Sequence, residues 1–143
     1  AELMRSVFVD TGGIIASKNI RDEGHLEALR VLIDIRASQP FHFISTDFVL
    51  TEFCNAYSKV HLRAEALDYV DAFRASPVCK LIHIDAQLFD EALALYRSRS
   101  DKEWGLTDCA SFVVMRRENI VEAFTSDFHF EQAGFVRLIQ ATR

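Results

Sequence analysis

Four carboxylates stand where a carboxylate is costly. Asp10 follows Val7-Phe8-Val9, Glu52 lies in Val49-Leu50-Thr51-Glu52-Phe53-Cys54, Asp108 in Gly105-Leu106-Thr107-Asp108-Cys109-Ala110, and Asp127 in Phe124-Thr125-Ser126-Asp127-Phe128-His129-Phe130. An ionised acid in apolar surroundings needs a partner charge, hydrogen bonds or a metal. No lysine or arginine accompanies any of the four segments. Acids gathered in one place repel each other, and a divalent cation removes that cost; hard oxygen donors select Mg²⁺ or Mn²⁺ over zinc. Singly, each acid has a plainer role. Asp10 can end a strand and cap a helix. Asp108 suits the positive end of a helix. Asp127 is a turn former, and Glu52 can lie on a solvated helix face. The joint pattern is more specific than any member.

The elements that must position these acids alternate along the chain. Residues 6–9 are β-branched and aromatic and read as a buried strand ending at Asp10. A short apolar helix follows Gly12-Gly13. Residues 25–35 carry Leu26, Leu29, Leu32 and Ile33 at helical spacing; 41–45 read as a strand; 47–60 and 64–73 as helices; 81–84 as a strand; 86–97 as an amphipathic helix. Thr107 is placed to cap a helix through Met115, 123–126 are strand-like, and 135–139 are a candidate last strand. Alternating strands and helices predict a three-layer α/β/α domain with a mostly parallel central sheet. Ligands in such sheets bind beyond the carboxyl ends of the strands, which is where Asp10 and Asp127 fall.

Length and composition are those of one domain spanning residues 1–143. Half the residues are hydrophobic, enough for a core without disulfides. Cys54, Cys79 and Cys109 are widely spaced in apolar stretches and read as buried free thiols; no Cys-His pair has zinc spacing. No apolar run approaches the roughly 20 residues that cross a bilayer. A soluble, cytoplasmic protein is expected. The net charge of −5 argues against a protein that grips nucleic acid mainly by counterion release.

These segments resemble the PIN-domain ribonucleases, especially the VapC toxin branch. Val7-Phe8-Val9-Asp10-Thr11 resembles the family's first-strand motif, and Thr51-Glu52-Phe53 its helix-borne glutamate. Leu106-Thr107-Asp108-Cys109-Ala110-Ser111-Phe112 resembles its most recognisable segment. Thr125-Ser126-Asp127-Phe128-His129-Phe130 with Ala133-Gly134-Phe135 resembles its closing motif. The likeness covers nearly the whole chain. Gly12-Gly13 departs from it, because small polar residues are commoner there, and is expected to alter the loop without abolishing metal binding.

The resemblance implies metal-assisted hydrolysis of RNA phosphodiesters. Asp10, Asp108 and Asp127 would bind Mg²⁺ or Mn²⁺, with Glu52 binding directly or through water, and the metal would activate a water and neutralise developing charge. Thr11 and Thr107 have hydroxyls suited to orienting carboxylates, and Asp101 would support the Thr107 loop or the outer metal shell. Trp104 is a candidate base-stacking residue, and Lys102 and Arg99 candidate phosphate contacts, as are Lys18, Arg21, Arg97, Arg116 and Arg117. His129 is a candidate acid/base group or a loop-packing residue. A small antitoxin partner and a homodimer are further implications. Two other readings stand beside this one: a PIN fold without catalysis that acts through protein contacts, and a phosphate-loop ATPase-like fragment suggested by Asp10-Thr11-Gly12-Gly13.

Overall fold

The run around Val7-Phe8-Val9 becomes the middle strand of a five-stranded sheet, which is why it carries no polar residue on either face. The structure, a computed structural model, describes residues 3–140. Their elements are β1 (Arg5–Val9), α1 (Thr11–Lys18), α2 (His25–Ala37), β2 (Phe41–Thr46), α3 (Asp47–Ala56), a 3₁₀ turn (Val60–Leu62), α4 (Arg63–Ala75), β3 (Cys79–Ile82), α5 (Ala86–Ser98), α6 (Leu106–Arg117), β4 (Glu122–Phe124), α7 (His129–Gln132) and β5 (Val136–Arg137). The strand order is β3-β2-β1-β4-β5, and every neighbouring pair is parallel. Helices flank the sheet, so the expected α/β architecture is present. Phe8, Phe112, Phe124 and Phe130 are fully buried at its centre, with Phe112 edge-on to Phe130 at 4.9 Å.

Several boundaries differ from the sequence reading, each for a local reason. The helix expected over 47–60 stops at Ala56. Tyr57 turns inward onto Phe53 at 4.6 Å, while Val60 is 90% exposed and has nothing to pack against. The third strand begins and ends two residues earlier than 81–84. The Ile84 amide donates to Asp47 Oδ1 at 2.9 Å instead of to a neighbouring strand, and Asp85 caps α5. The fourth strand ends at Phe124, leaving Thr125 and Ser126 beyond it, and the last strand is only two residues long. The short helix α7 was not anticipated. Of the three thiols only Cys109 is fully buried; Cys54 and Cys79 are partly exposed.

Gly13 has a packing role that the sequence did not disclose. A Cβ there would lie 2.0 Å from the Phe124 carbonyl oxygen and 2.5 Å from the Phe124 ring. That carbonyl also accepts the Asp10 amide at 3.3 Å, so it has little freedom to retreat. Gly13→Ala is expected to destabilise the fold by about 3 kcal/mol, the upper part of the overpacking range. The check is the urea midpoint; an unchanged midpoint would mean that α1 slides off β4 without cost.

Candidate metal centre

The carboxyl ends of β1 and β4 lie side by side at the point where the strand order reverses. From β1 the chain proceeds to β2 and β3 on one flank, then returns to β4 and β5 on the other. A crevice opens beyond the strands at such a switch point. Asp10 leaves β1 into it and is 4% exposed. Its Oδ2 accepts from the Thr125 hydroxyl at 2.8 Å and from the Gly12 amide at 3.4 Å. Burial pushes the Asp10 carboxyl up to about 7; the Thr125 hydrogen bond pulls the other way, and the charges of Asp108, Asp127 and Glu52 add to the rise.

Asp108 arrives from the start of α6. Its Oδ2 accepts from the Gly105 amide at 3.1 Å, and the cap position belongs to Gly105, which has no side chain to cap with, and not to Thr107. Burial raises the proton affinity of Asp108, the Asp127 charge adds to this, and the Gly105 hydrogen bond opposes it. Asp127 follows β4. Its Oδ1 accepts from the His129 amide at 2.9 Å, and its own amide donates to Thr125 Oγ1 at 3.1 Å. Thr125 therefore ties Asp10 and the Asp127 turn together. Thr125 has no role legible in the closing motif itself; the signal for it is a hydroxyl two residues ahead of an acid at a strand end. Glu52 lies on the exposed side of α3, near enough for its charge to raise both Asp10 and Asp108.

The four acids thus share one field. Among the described residues, no lysine or arginine forms an ion pair with any of them. Asp108 and Asp127 instead face His129 Nδ1, at 3.4 and 3.3 Å. That nitrogen is buried and makes no aligned hydrogen bond. Asp108, Asp127 and His129 offer ligand atoms that all lie within 4.8 Å of one another. A set of oxygen donors without a lysine or arginine, beside an orphaned buried nitrogen, fits a divalent cation. The tight trio differs from the expected Asp10, Asp108 and Asp127, because Asp10 sits deeper, held by Thr125.

Residues 7–136 match the PIN domain family. The chain belongs to the PIN-domain family. It is 31% identical over 134 residues to the 23S rRNA-specific endonuclease VapC20 of Mycobacterium tuberculosis, covering 92% of this chain and 97% of that protein. The crystal structure of Mycobacterium tuberculosis VapC20, described as a sarcin-ricin loop cleaving toxin, superimposes with a TM-score of 0.80 at 31% identity, covering 91% of this chain and 96% of that one. VapBC2 from Rickettsia felis bound to a promoter DNA fragment gives a TM-score of 0.63 at 15% identity over 92% and 96% of the two chains. FitAcB from Neisseria gonorrhoeae gives 0.63 at 12% over 92% and 95%. These last two share the fold.

Several expected members of the PIN site stand elsewhere. Trp104 is 4% exposed, edge-on to Phe112 at 5.0 Å, with its indole N–H on Gln132 Oε1 at 3.0 Å. No face is open to a base, because the ring fills the gap between α6 and α7. The carboxylate of Asp101 is engaged by an arginine and not by the Thr107 hydroxyl. It pairs in fork fashion with Arg99 at 2.9 and 3.0 Å on the surface, and that hydrogen bonding lowers its proton affinity. Arg99 in turn lies over Trp104 at 5.1 Å. Arg99, Lys102 and Trp104 do border one cleft of about 480 Å³ beside Gly105 at the head of α6. The Thr11 hydroxyl points to the Val49 carbonyl at 3.5 Å and to no carboxylate. Arg117 is engaged by Glu91. The Gly12 and Gly13 amides are spent on Asp10 within the start of α1, and Gly13 on packing, which accounts for Asp-Thr-Gly-Gly without a phosphate loop. No helix among the described residues is long and apolar enough to cross a membrane.

Proposed function

We propose that this chain is a divalent-metal-dependent endoribonuclease acting as the toxin of a toxin–antitoxin pair. The observation that supports it most is the convergence of Asp10, Glu52, Asp108 and Asp127 at the β1/β4 switch point without a basic partner. The 31% identity to a ribosomal-RNA endonuclease over most of both chains supports the same chemistry. Asp10, Asp108 and Asp127 would hold Mg²⁺ or Mn²⁺, with Glu52 binding directly or through water. Such an ion, when bound, activates a water and neutralises charge on the phosphate.

The chain's own residues set the geometry. Thr125 and the Gly12 amide hold the Asp10 carboxyl, the Gly105 amide holds Asp108, and the His129 amide holds Asp127. Outside the four acids the chain is near neutral, and a bound divalent ion would offset much of the negative charge that the acids present to RNA. Lys102 in the cleft by α6 is suited to a flanking phosphate, whereas the Arg99 beside it is already paired with Asp101. An antitoxin that covers the acid crevice is the corresponding partner, a homodimer the assembly, and the cytoplasm, where the three thiols stay reduced, the compartment.

Purified protein should cut RNA with Mg²⁺ or Mn²⁺ and stop on chelation. The relative's target makes 23S ribosomal RNA the first substrate to try, with sequencing of the cut ends as the readout. Cleavage that persists in excess chelator, from a preparation whose Asp108→Asn counterpart is inactive, would exclude the metal mechanism.

A further inference from the structure

We propose that His129 ligates the metal through Nδ1, and that this nitrogen biases the site toward Mn²⁺ over Mg²⁺. The inference rests on the metal-dependent reading above and adds a donor of a different chemical class to its four acids.

The geometry carries it. His129 Nδ1 lies 3.3 Å from Asp127 Oδ1 and 3.4 Å from Asp108 Oδ2. Adjacent ligands of an octahedral ion with bonds of about 2.1 Å are about 3 Å apart, so the trio is already spaced like three neighbouring ligands. The nitrogen is buried, yet its orientation gives no aligned hydrogen bond to either oxygen. Buried polar atoms ordinarily have a partner, and an orphan calls for one.

Both oxygens are also fixed from behind, Asp108 Oδ2 by the Gly105 amide and Asp127 Oδ1 by the His129 amide. The imidazole itself is carried on α7, whose Phe130 is fully buried and whose Gln132 accepts the Trp104 indole N–H. Arg137 of β5 braces the same segment, donating to the Ser126 carbonyl and to Glu131. A nitrogen donor held this firmly favours a borderline ion, because imidazole suits transition metals and Mg²⁺ prefers oxygen and water.

The test uses the full chain stripped of metal, titrated calorimetrically with Mn²⁺ and separately with Mg²⁺, as parent, His129→Phe and His129→Asn. Mn²⁺ affinity should fall about tenfold or more in His129→Phe, the scale for losing a tuned donor, while Mg²⁺ affinity changes much less. His129→Asn places an oxygen near the Nδ1 position and should keep Mg²⁺ binding while losing the Mn²⁺ preference. Pulsed electron paramagnetic resonance of the Mn²⁺ complex should show nitrogen coupling in the parent and none in either variant. A parent complex without nitrogen coupling overturns the proposal, even if His129→Phe fails to fold. So does an equal loss of both ions in both variants, which would make His129 only a brace for α7. If Asp108→Asn binds Mn²⁺ as the parent does, the metal-dependent reading itself fails, a result distinct from loss of the nitrogen alone.

Discussion

Asp108→Asn is expected to lower RNA cleavage by on the order of 10²-fold or more while leaving the metal-free protein at least as stable as its parent. Groups that merely orient metal ligands cost about 10–100-fold when changed, so a direct ligand should reach or exceed that range. Stability should hold for two reasons. The asparagine carbonyl can still accept from the Gly105 amide, so the hydrogen bond at the start of α6 survives. The lost charge also relieves Asp10, Asp127 and Glu52, all of which interact with Asp108. One pair of unit charges about 5 Å apart at an effective dielectric near 20 costs about 3 kcal/mol, an upper figure here because Asp108 holds its proton more readily than usual.

Metal separates this site from an ordinary cap. At 100 times its dissociation constant, Mn²⁺ should stabilise the parent by about 2.7 kcal/mol, or roughly 5–10 °C in melting temperature, and the variant far less. Asp101→Asn is the control. Its carboxylate is on the surface with Arg99, so the response to Mn²⁺ should match the parent's. An Asp108→Asn protein that melts lower than the parent without metal, yet gains as much from Mn²⁺, would place Asp108 outside the centre.

Without metal, the parent should carry a stability loss between about pH 4 and pH 7 that Asp10→Asn lacks. In the folded chain Asp10 keeps its proton up to about 7, whereas in the unfolded chain it titrates near its ordinary value of 3.8. Between those values the native state binds more protons, so raising the pH favours unfolding. At about 1.4 kcal/mol per pKa unit the difference has a ceiling of about 4.5 kcal/mol. Surface pairs such as Arg5 with Glu122 are common to both proteins, so the difference between parent and variant isolates Asp10. Asp108 acts in the same direction and leaves a residual slope in the variant. Urea unfolding at pH 4.5, 6 and 7.5 in chelator measures it. Parallel pH profiles for the two proteins would mean that Asp10 is ionised throughout, with a compensating partner. Mn²⁺ should flatten the parent's profile, because the ion replaces the proton as the group that relieves the buried charge.

Much of this was legible in the chain itself. The run Val7-Phe8-Val9, apolar on both faces, marks a strand inside a covered parallel sheet, and the alternation of strand and helix patterns marks the α/β class. The four acids were legible because each breaks an apolar stretch, a pattern that desolvation makes expensive without a shared purpose. Element ends were less legible. The stop of α3 at Ala56 depends on Tyr57 finding Phe53 beneath it, and the end of β3 on Asp47 capturing the Ile84 amide; neither partner is encoded in local periodicity.

What tertiary structure alone decided was which groups meet. Trp104 looks like a stacking residue in the sequence, yet the ring is buried, with Phe112 edge-on to it, Gln132 on its indole N–H and Arg99 over a face. Asp101 looks like a fifth acid, yet Arg99 claims it at the surface. Thr125 and His129 looked secondary, yet the switch between β1 and β4 brings Thr125 onto Asp10, and α7 aims His129 at Asp108 and Asp127. Sequence determines the cost of placing each residue in a given environment, since burial and charge follow from residue type and local pattern. It does not determine which distant residue offsets that cost. The partners are separated by 115 positions for Asp10 and Thr125, and only the folded sheet brings them within a hydrogen bond.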